Sequence, residues 1–165
     1  MAFTSEVLRE HHDRTVFNSG NVDLDSWLRD HSLHASAMNT GRTFVWHSGD
    51  DVVVAYFTVA AHLVTRESLT KRTARGSPNV IPSILLARLA LDVSLQGQGL
   101  GAELLWDALS RAVAANRQAA ARLVVVDAVD ERAASFYEHF GFEPIPGNPT
   151  RLVQKVSSIE AALKT

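Results

Sequence analysis

The run Gln96-Gly97-Gln98-Gly99-Leu100-Gly101 constrains this chain more than any other stretch. It joins an apolar segment, Ile84 to Leu91, to one of helical periodicity, Leu100 to Ala115. In the latter, Leu100, Leu104, Leu105, Ala108, Leu109, Ala112 and Val113 mark one face. Strand, glycine turn and helix in that order need a backbone that glycine enters most readily, and they turn amide N–H groups outward at the positive end of a helix. Such a turn can hold a phosphate. A tight turn without a ligand is the plain alternative, but three glycines within five residues count against it. Two nucleotide motifs do not fit. A dinucleotide fold sets its glycines after the first strand, with an acid about 20 positions on; here four expected strands come first, and Ala121 and Arg122 occupy that place. A P-loop ends in Gly-Lys-Ser/Thr, whereas Gly101 is followed by Ala102 and Glu103.

The 165 residues, 46% of them hydrophobic, suit one α/β domain spanning 1–165 with a sizeable core. Cysteine is absent, which removes disulfides, thiol nucleophiles and thiolate metal sites together. No apolar run reaches 18 residues, and Met1 to Glu10 lacks a basic start followed by a long apolar stretch. The expectation is a cytoplasmic protein without a membrane span. Net charge is −2, yet Arg66, Lys71, Arg72 and Arg75 face only Glu67 across ten residues. Taken alone that cluster reads as a solvated loop; with a nucleic-acid partner it reads as a phosphate contact.

Ser5 to Glu10 is expected as an opening strand, and Asp23 to Met38 as a helix closed by Gly41. Arg42 to His47 and Asp51 to Leu63 read as a hairpin across Ser48-Gly49-Asp50. Val64 to Pro82 lacks periodicity and has room for a short helix. Strands follow at Ser83–Leu91, Arg122–Val126 and Thr150–Val156. Asp130 is placed to cap a helix through His139, with Gly141 closing it. The order gives a β-rich first half followed by β-α-β-α-β on a mixed sheet.

The expected Asp130–His139 helix ends in Phe136-Tyr137-Glu138-His139-Phe140-Gly141-Phe142, where Phe136 and Phe140 suit a core and Tyr137 adds a protic group. Gln96-x-x-Gly99-x-Gly101 with this helix resembles the GNAT acetyltransferase superfamily: the glycine run matches its pyrophosphate loop and the helix its thiol-end motif. Leu24-Asp25-x-Trp27-Leu28, Arg42-Thr43-Phe44-Val45, Val54-Ala55-Tyr56-Phe57, Leu86-Ala87-Arg88-Leu89-Ala90-Leu91-Asp92 and Val126-Asp127-Ala128 are similar to one subgroup, the GNAT toxins of type II toxin–antitoxin modules. The likeness runs from about Phe17 to Val156; Ala55 and Ala87 stand where that subgroup often has glycine.

The resemblance implies a central, mostly antiparallel sheet splayed at two parallel strands. It implies acetyl-CoA as donor and no metal. The pantetheine would lie along Leu89, Ala90, Leu91 and Val93, the pyrophosphate on Gln96, Gly97, Gln98, Gly99, Leu100, Gly101 and Ala102, and the thiol end near Phe136, with Tyr137 as general acid. A thiol titrates near about 8.5 and tyrosine near about 10, so Tyr137 is protonated at neutral pH.

The base is less evident. Ser83–Leu91 holds no carboxylate, Asp92 follows its end, and His62 on a strand reads as structural. An α-amine near about 7.7–8.0 needs less help than a lysine near about 10.4, which leans toward an α-amine acceptor.

The toxin resemblance implies aminoacyl-tRNA as acceptor, and gives Arg66, Lys71, Arg72, Arg75 and Arg42 phosphates to contact. Arg88, inside an apolar strand, needs a partner: an acid in the core, or the substrate. The same resemblance implies a homodimer and a ribbon–helix–helix antitoxin through which DNA is bound. The alternatives are a GNAT enzyme acting on a small amine or a protein N-terminus, and a non-catalytic CoA-binding module. His31 and His34 lack a third metal ligand and read as a solvated face. Asp127 reads as a strand end.

Overall fold

The computed structural model describes residues 2–165. Its elements are β1 (Thr4–Val7), α1 (Val22–Asp30), α2 (Ser32–Ala37), β2 (Arg42–His47), β3 (Ala55–Thr65), α3 (Lys71–Ala74), β4 (Val80–Leu91), α4 (Leu100–Asn116), β5 (Leu123–Asp127), α5 (Glu131–His139), β6 (Glu143–Ile145), β7 (Asn148–Lys155) and α6 (Val156–Leu163). Short 3-10 turns lie at Arg66–Ser68 and Val93–Leu95. The strand order is β1-β2-β3-β4-β5-β7-β6. The pairs β1/β2, β2/β3, β5/β7 and β6/β7 are antiparallel, and β4/β5 is parallel. The parallel ladder joins Ser83–Leu86 to Leu123–Val126, while β4 itself runs on to Leu91. This is the mixed, mostly antiparallel α/β sheet expected from the sequence. No described helix is long and apolar enough to cross a membrane.

The chain divides into two compact units. The first holds the chain up to Ala60 together with Ala87–Ala108; the second holds Ala61–Leu86 and Leu109–Thr165. In the first, Leu8, Phe17, Leu28, Val45, Val53, Tyr56 and Ala90 form a buried core, covered by Leu24, Trp27 and Leu33. Leu24 and Trp27, at helical spacing on α1, and Leu33 on α2 supply that cover. Asn21 starts α1 by accepting from the amides of Asp23 (3.0 Å) and Leu24 (3.1 Å), which satisfies two otherwise orphan donors. In the second unit Val64, Leu69, Ala74, Ile81, Leu123, Val125 and Val153 form the core. Every side chain from Leu123 to Val126 is fully shielded, as expected for a strand covered on both faces.

Several boundaries differ from the sequence reading. The single helix expected over Asp23–Met38 is two, because His31 (φ −126°) leaves helical geometry and the Ser32 hydroxyl donates back to the Leu28 carbonyl, a contact that bends helices. β1 spans Thr4–Val7 rather than Ser5–Glu10. β3 begins at Ala55 and β4 at Val80. β6 and α6 were not expected: the first is only three residues with a register shift at Pro144/Ile145, and α6 completes the chain where the sequence shows only Val156, Ile159 and Leu163 at helical spacing.

Candidate active site

The glycine run lies in the first unit. Gly97 (φ 76°) and Gly99 (φ 79°) both adopt left-handed backbone, and a Cβ on either would meet nothing within 4 Å. Glycine is therefore required by conformation and not by crowding. The stretch from Gln96 to Gly99 is exposed. The Gln96 side chain is a strut: its Nε2 donates to the carbonyls of Ser19 and Leu91, 2.8 Å each, and its own amide donates to Val93 O. Gln98 Nε2 donates to Ser94 O at 3.1 Å. Asp92 braces the entry, accepting from the amides of Ser94 and Asn18 at 3.0 Å each. Burial pushes its carboxyl up, and these hydrogen bonds outweigh that and hold it below the usual range. With the side chains anchored behind, the exposed amides of Gly97 to Gly99 lead into α4, and this donor set fits a pyrophosphate. Of the expected pantetheine positions, Leu89 and Leu91 are half-buried, Val93 is exposed, and the Ala90 side chain points into the first core.

Tyr137 lies in the second unit. Asp130 caps its helix, α5, by accepting from the amide of Ala133 at 2.8 Å, and Gly141 (φ 94°) follows the end, both as read from the sequence. The Tyr137 ring is buried, edge-on to Phe136 (5.4 Å between centroids) and Phe142 (5.8 Å). Phe136 in turn meets Phe140 edge-on at 5.1 Å. No described group hydrogen-bonds the Tyr137 hydroxyl. Burial, and then the charge of Asp127, push its pKa well above the ordinary tyrosine value, so it stays protonated throughout the physiological range.

Asp127 is held by Arg151 in a two-pronged pair, Nε to Oδ1 at 2.7 Å and a terminal nitrogen to Oδ2 at 2.8 Å. Another guanidinium nitrogen lies 3.4 Å from His62 Nε2. Burial first, and the Arg151 cation second, hold His62 below the usual imidazole range. His62 is thus biased toward its neutral ring, with Nε2 against the Arg151 cation.

Arg88 belongs to the first unit. Its guanidinium carbon sits 3.8 Å from the centroid of Trp27. Trp27 stacks in turn on Tyr56, 12° from parallel, and the Tyr56 hydroxyl donates to Leu24 O at 2.6 Å. Among the described residues Arg88 has no carboxylate partner, so the acid that the sequence left open is replaced by an indole face. Burial lowers the Arg88 pKa from its ordinary value, an effect that Tyr56 partly offsets.

The other cations differ in freedom. Arg42 reaches Asn39 Oδ1 at 3.1 Å in the first unit. In the second, Arg66 donates to Ser77 O at 3.1 Å, Arg72 is ion-paired with Glu143, and Lys71 is exposed. The Arg75 carbonyl accepts from Arg122 at 2.9 Å.

The structure also assembles a group the sequence did not announce: Glu6, His12, His47 and Asp51 in the first unit. Backbone amides of Arg9 and Gly49 donate to Nδ1 of His12 (2.9 Å) and His47 (3.1 Å). That assigns each ring proton to Nε2, and both Nε2 atoms contact Glu6 Oε1, at 2.7 and 2.8 Å. A metal-bound imidazole needs the reverse, a bare Nε2 with Nδ1–H given to an acceptor. The cluster is arranged for hydrogen bonds, and the two histidines hold the Glu6 carboxyl below its usual range.

The family model "Acetyltransferase (GNAT) domain" matches residues 39–144, and the chain belongs to the GNAT acetyltransferase family. Within that family it is similar to a tRNA-acetylating toxin of Mycobacterium tuberculosis (strain ATCC 25618 / H37Rv), 36% identical over 151 residues, covering 92% of this chain and 90% of the relative. Among solved structures, a tyrosine-to-phenylalanine mutant of KacT superposes with a TM-score of 0.91 at 26% identity, over 98% of this chain and 99% of that one. AtaT complexed with acetyl-methionyl-tRNAfMet gives 0.88 at 30% identity, again over 98% and 99%. AtaT has also been solved with acetyl-CoA, with the C-terminus of the antitoxin AtaR, and with AtaR on DNA.

Proposed function

We propose that this protein transfers the acetyl group of acetyl-CoA to the α-amino group of aminoacyl-tRNA and thereby acts as a translation-blocking toxin. One observation carries the reading: Tyr137 is a protonated acid in the second unit, while Asp92 in the first and His62 in the second, the two groups that the sequence offered as bases, are each engaged by other partners. Asp92 serves two backbone amides, and His62 is held against Arg151. An acceptor must then arrive largely neutral. An α-amine near about 7.7–8.0 does so, the more when its carboxyl is esterified, whereas a lysine side chain near about 10.4 does not. The tRNA-acetylating relative and the AtaT complex with acetyl-methionyl-tRNAfMet support the same acceptor.

In this reading the amides of Gly97 to Gly99 and the start of α4, through Leu100, Gly101 and Ala102, hold the pyrophosphate. The backbone of Leu89, Ala90, Leu91 and Val93 holds the pantetheine, and Phe136 walls the thiol end. Bound acetyl-CoA supplies the activated acyl group. The acceptor nitrogen forms a bond to the acyl carbon as the carbon–sulfur bond breaks. Tyr137 gives its proton to the departing sulfur and regains the one that the acceptor nitrogen releases. Arg42, Arg66, Lys71, Arg72, Arg75 and Arg88 contact the RNA. A single catalytic domain over residues 1–165, a cytoplasmic location, a homodimer and a ribbon–helix–helix antitoxin that brings the toxin to DNA complete the reading; the AtaR and DNA complexes of AtaT support the last.

Tyr137→Phe tests it. The substitution removes a hydroxyl with no described hydrogen bond, so the melting temperature should hold. Turnover on charged tRNA should drop by about 10²–10⁴-fold, the usual worth of general acid catalysis. Unchanged turnover and growth arrest would remove Tyr137 from the mechanism.

A further inference from the structure

The glycine run is exposed, and nothing stands within 4 Å of where a Cβ of Gly97 or Gly99 would lie. Glycines lose more conformational freedom than other residues when a ligand orders them. The affinity of such a loop depends on what holds it before the ligand arrives. Three hydrogen bonds tie the loop and its entry to one segment ahead of α1. Gln96 Nε2 donates to Ser19 O at 2.8 Å, Val93 N to Asn18 O at 2.8 Å, and Asn18 N to Asp92 Oδ2 at 3.0 Å. Asn18-Ser19-Gly20 is thus a strap between α1 and the glycine run.

The strap has little packing of its own: Asn18 and Gly20 are exposed, and Gly20 is left-handed (φ 87°). Asp25 fixes it. From the first turn of α1 its Oδ1 accepts from the Ser19 amide at 2.9 Å and from the Ser19 hydroxyl at 2.7 Å. An ionised acceptor makes both bonds stronger than a neutral one would. With amide and hydroxyl held, the carbonyl of the same residue is left facing Gln96. The base of this chain is firm, because α1 is capped by Asn21 and buries Leu28. In the run Leu24-Asp25-x-Trp27-Leu28 the three apolar residues serve the core, and Asp25 does not. Every residue of the path lies in the first unit.

We propose that Asp25 is a positioning residue for the acetyl donor. Through Ser19 and Gln96 it sets the glycine run in the form that takes the pyrophosphate of acetyl-CoA. The inference rests on the pyrophosphate assignment above and is independent of which amine is acetylated.

Calorimetry with acetyl-CoA alone compares wild type, Asp25→Ala, Asp25→Asn, Gln96→Met and the double variant Asp25→Ala, Gln96→Met. Asp25→Ala should weaken binding about tenfold, roughly the effect of one charge-assisted hydrogen bond. Asp25→Asn keeps an acceptor oxygen in the same place and should stay within about threefold of wild type. Gln96→Met should weaken binding as well, and the double variant should match the weaker single variant within about twofold, because both act on one path. A second readout separates positioning from a general loosening of the fold. S-acetylpantetheine carries the thioester without the pyrophosphate. The preference in kcat/KM for acetyl-CoA over S-acetylpantetheine should fall about tenfold in Asp25→Ala, with kcat at saturating acetyl-CoA little changed. Undiminished acetyl-CoA affinity in Asp25→Ala, losses that multiply in the double variant, or an equal loss on both donors would overturn the assignment of Asp25. If Gln96→Met alone binds acetyl-CoA as wild type does, the pyrophosphate assignment fails and takes this inference with it.

Discussion

The stack of Arg88 on Trp27 gives a sharp test of the first unit. At 3.8 Å from the ring centroid the guanidinium is within cation–π range. Such contacts contribute about 0.5–1 kcal/mol when exposed and about 2 when desolvated, so a half-buried pair should give about 1 kcal/mol. Arg88→Met keeps the stem and removes the charge; Trp27→Leu keeps apolar cover and removes the indole face. Urea unfolding of both single variants and the double variant isolates the coupling. The single variants need not agree, because Trp27 also stacks on Tyr56 and covers the core. The coupling should be about 1 kcal/mol, and Arg88→Met should also raise KM for charged tRNA, since no carboxylate holds the guanidinium. Arg88→Lys should recover little, because an ammonium lacks the planar face. Coupling below about 0.3 kcal/mol, the ordinary noise of additivity, would refute the stack as the partner of Arg88.

Two further outcomes follow from the loop and from the sheet edge. Gly99→Ala puts a Cβ into open space at φ 79°, so strain of roughly 1–2 kcal/mol is the only cost; calorimetry should show weaker CoA binding, and undiminished affinity would contradict the pyrophosphate assignment. Glu6 is held ionised by hydrogen bonds from His12 and His47, so its contribution is present above its unfolded value near 4.5 and is lost as pH falls through the lower folded value. Melting temperatures taken from pH 6 to pH 3 should therefore decline less steeply for Glu6→Gln than for wild type below about pH 4.5, and identical slopes would rule that out.

What the sequence disclosed was local. Asp130 was legible as a cap because its acceptor reaches an amide three residues on, and the glycine run because its backbone need is written in its own residues. The break at His31 was not, since Leu24, Trp27, Leu28 and Ala35 keep helical spacing across it and the bend comes from a hydroxyl turning to its own backbone. Arg88, inside an apolar strand, needs a partner on sequence grounds alone, but which residue answers depends on α1 packing over β4. Arg72 read as a free cation because Glu143, its partner, lies 71 positions away. The Glu6–His12–His47 group gave no signal: its members share no spacing, and the β1–β2 register alone brings Glu6 toward His47.

The central claim is that the acceptor is the α-amine of a charged tRNA. Mass spectrometry of a charged tRNA pool incubated with the protein and acetyl-CoA, alongside lysine-bearing peptides, tests it most directly. The account predicts a 3′-terminal aminoacyl adenosine bearing an α-N-acetyl group, with the peptides unmodified. Acetylated lysine with untouched aminoacyl-tRNA would contradict it.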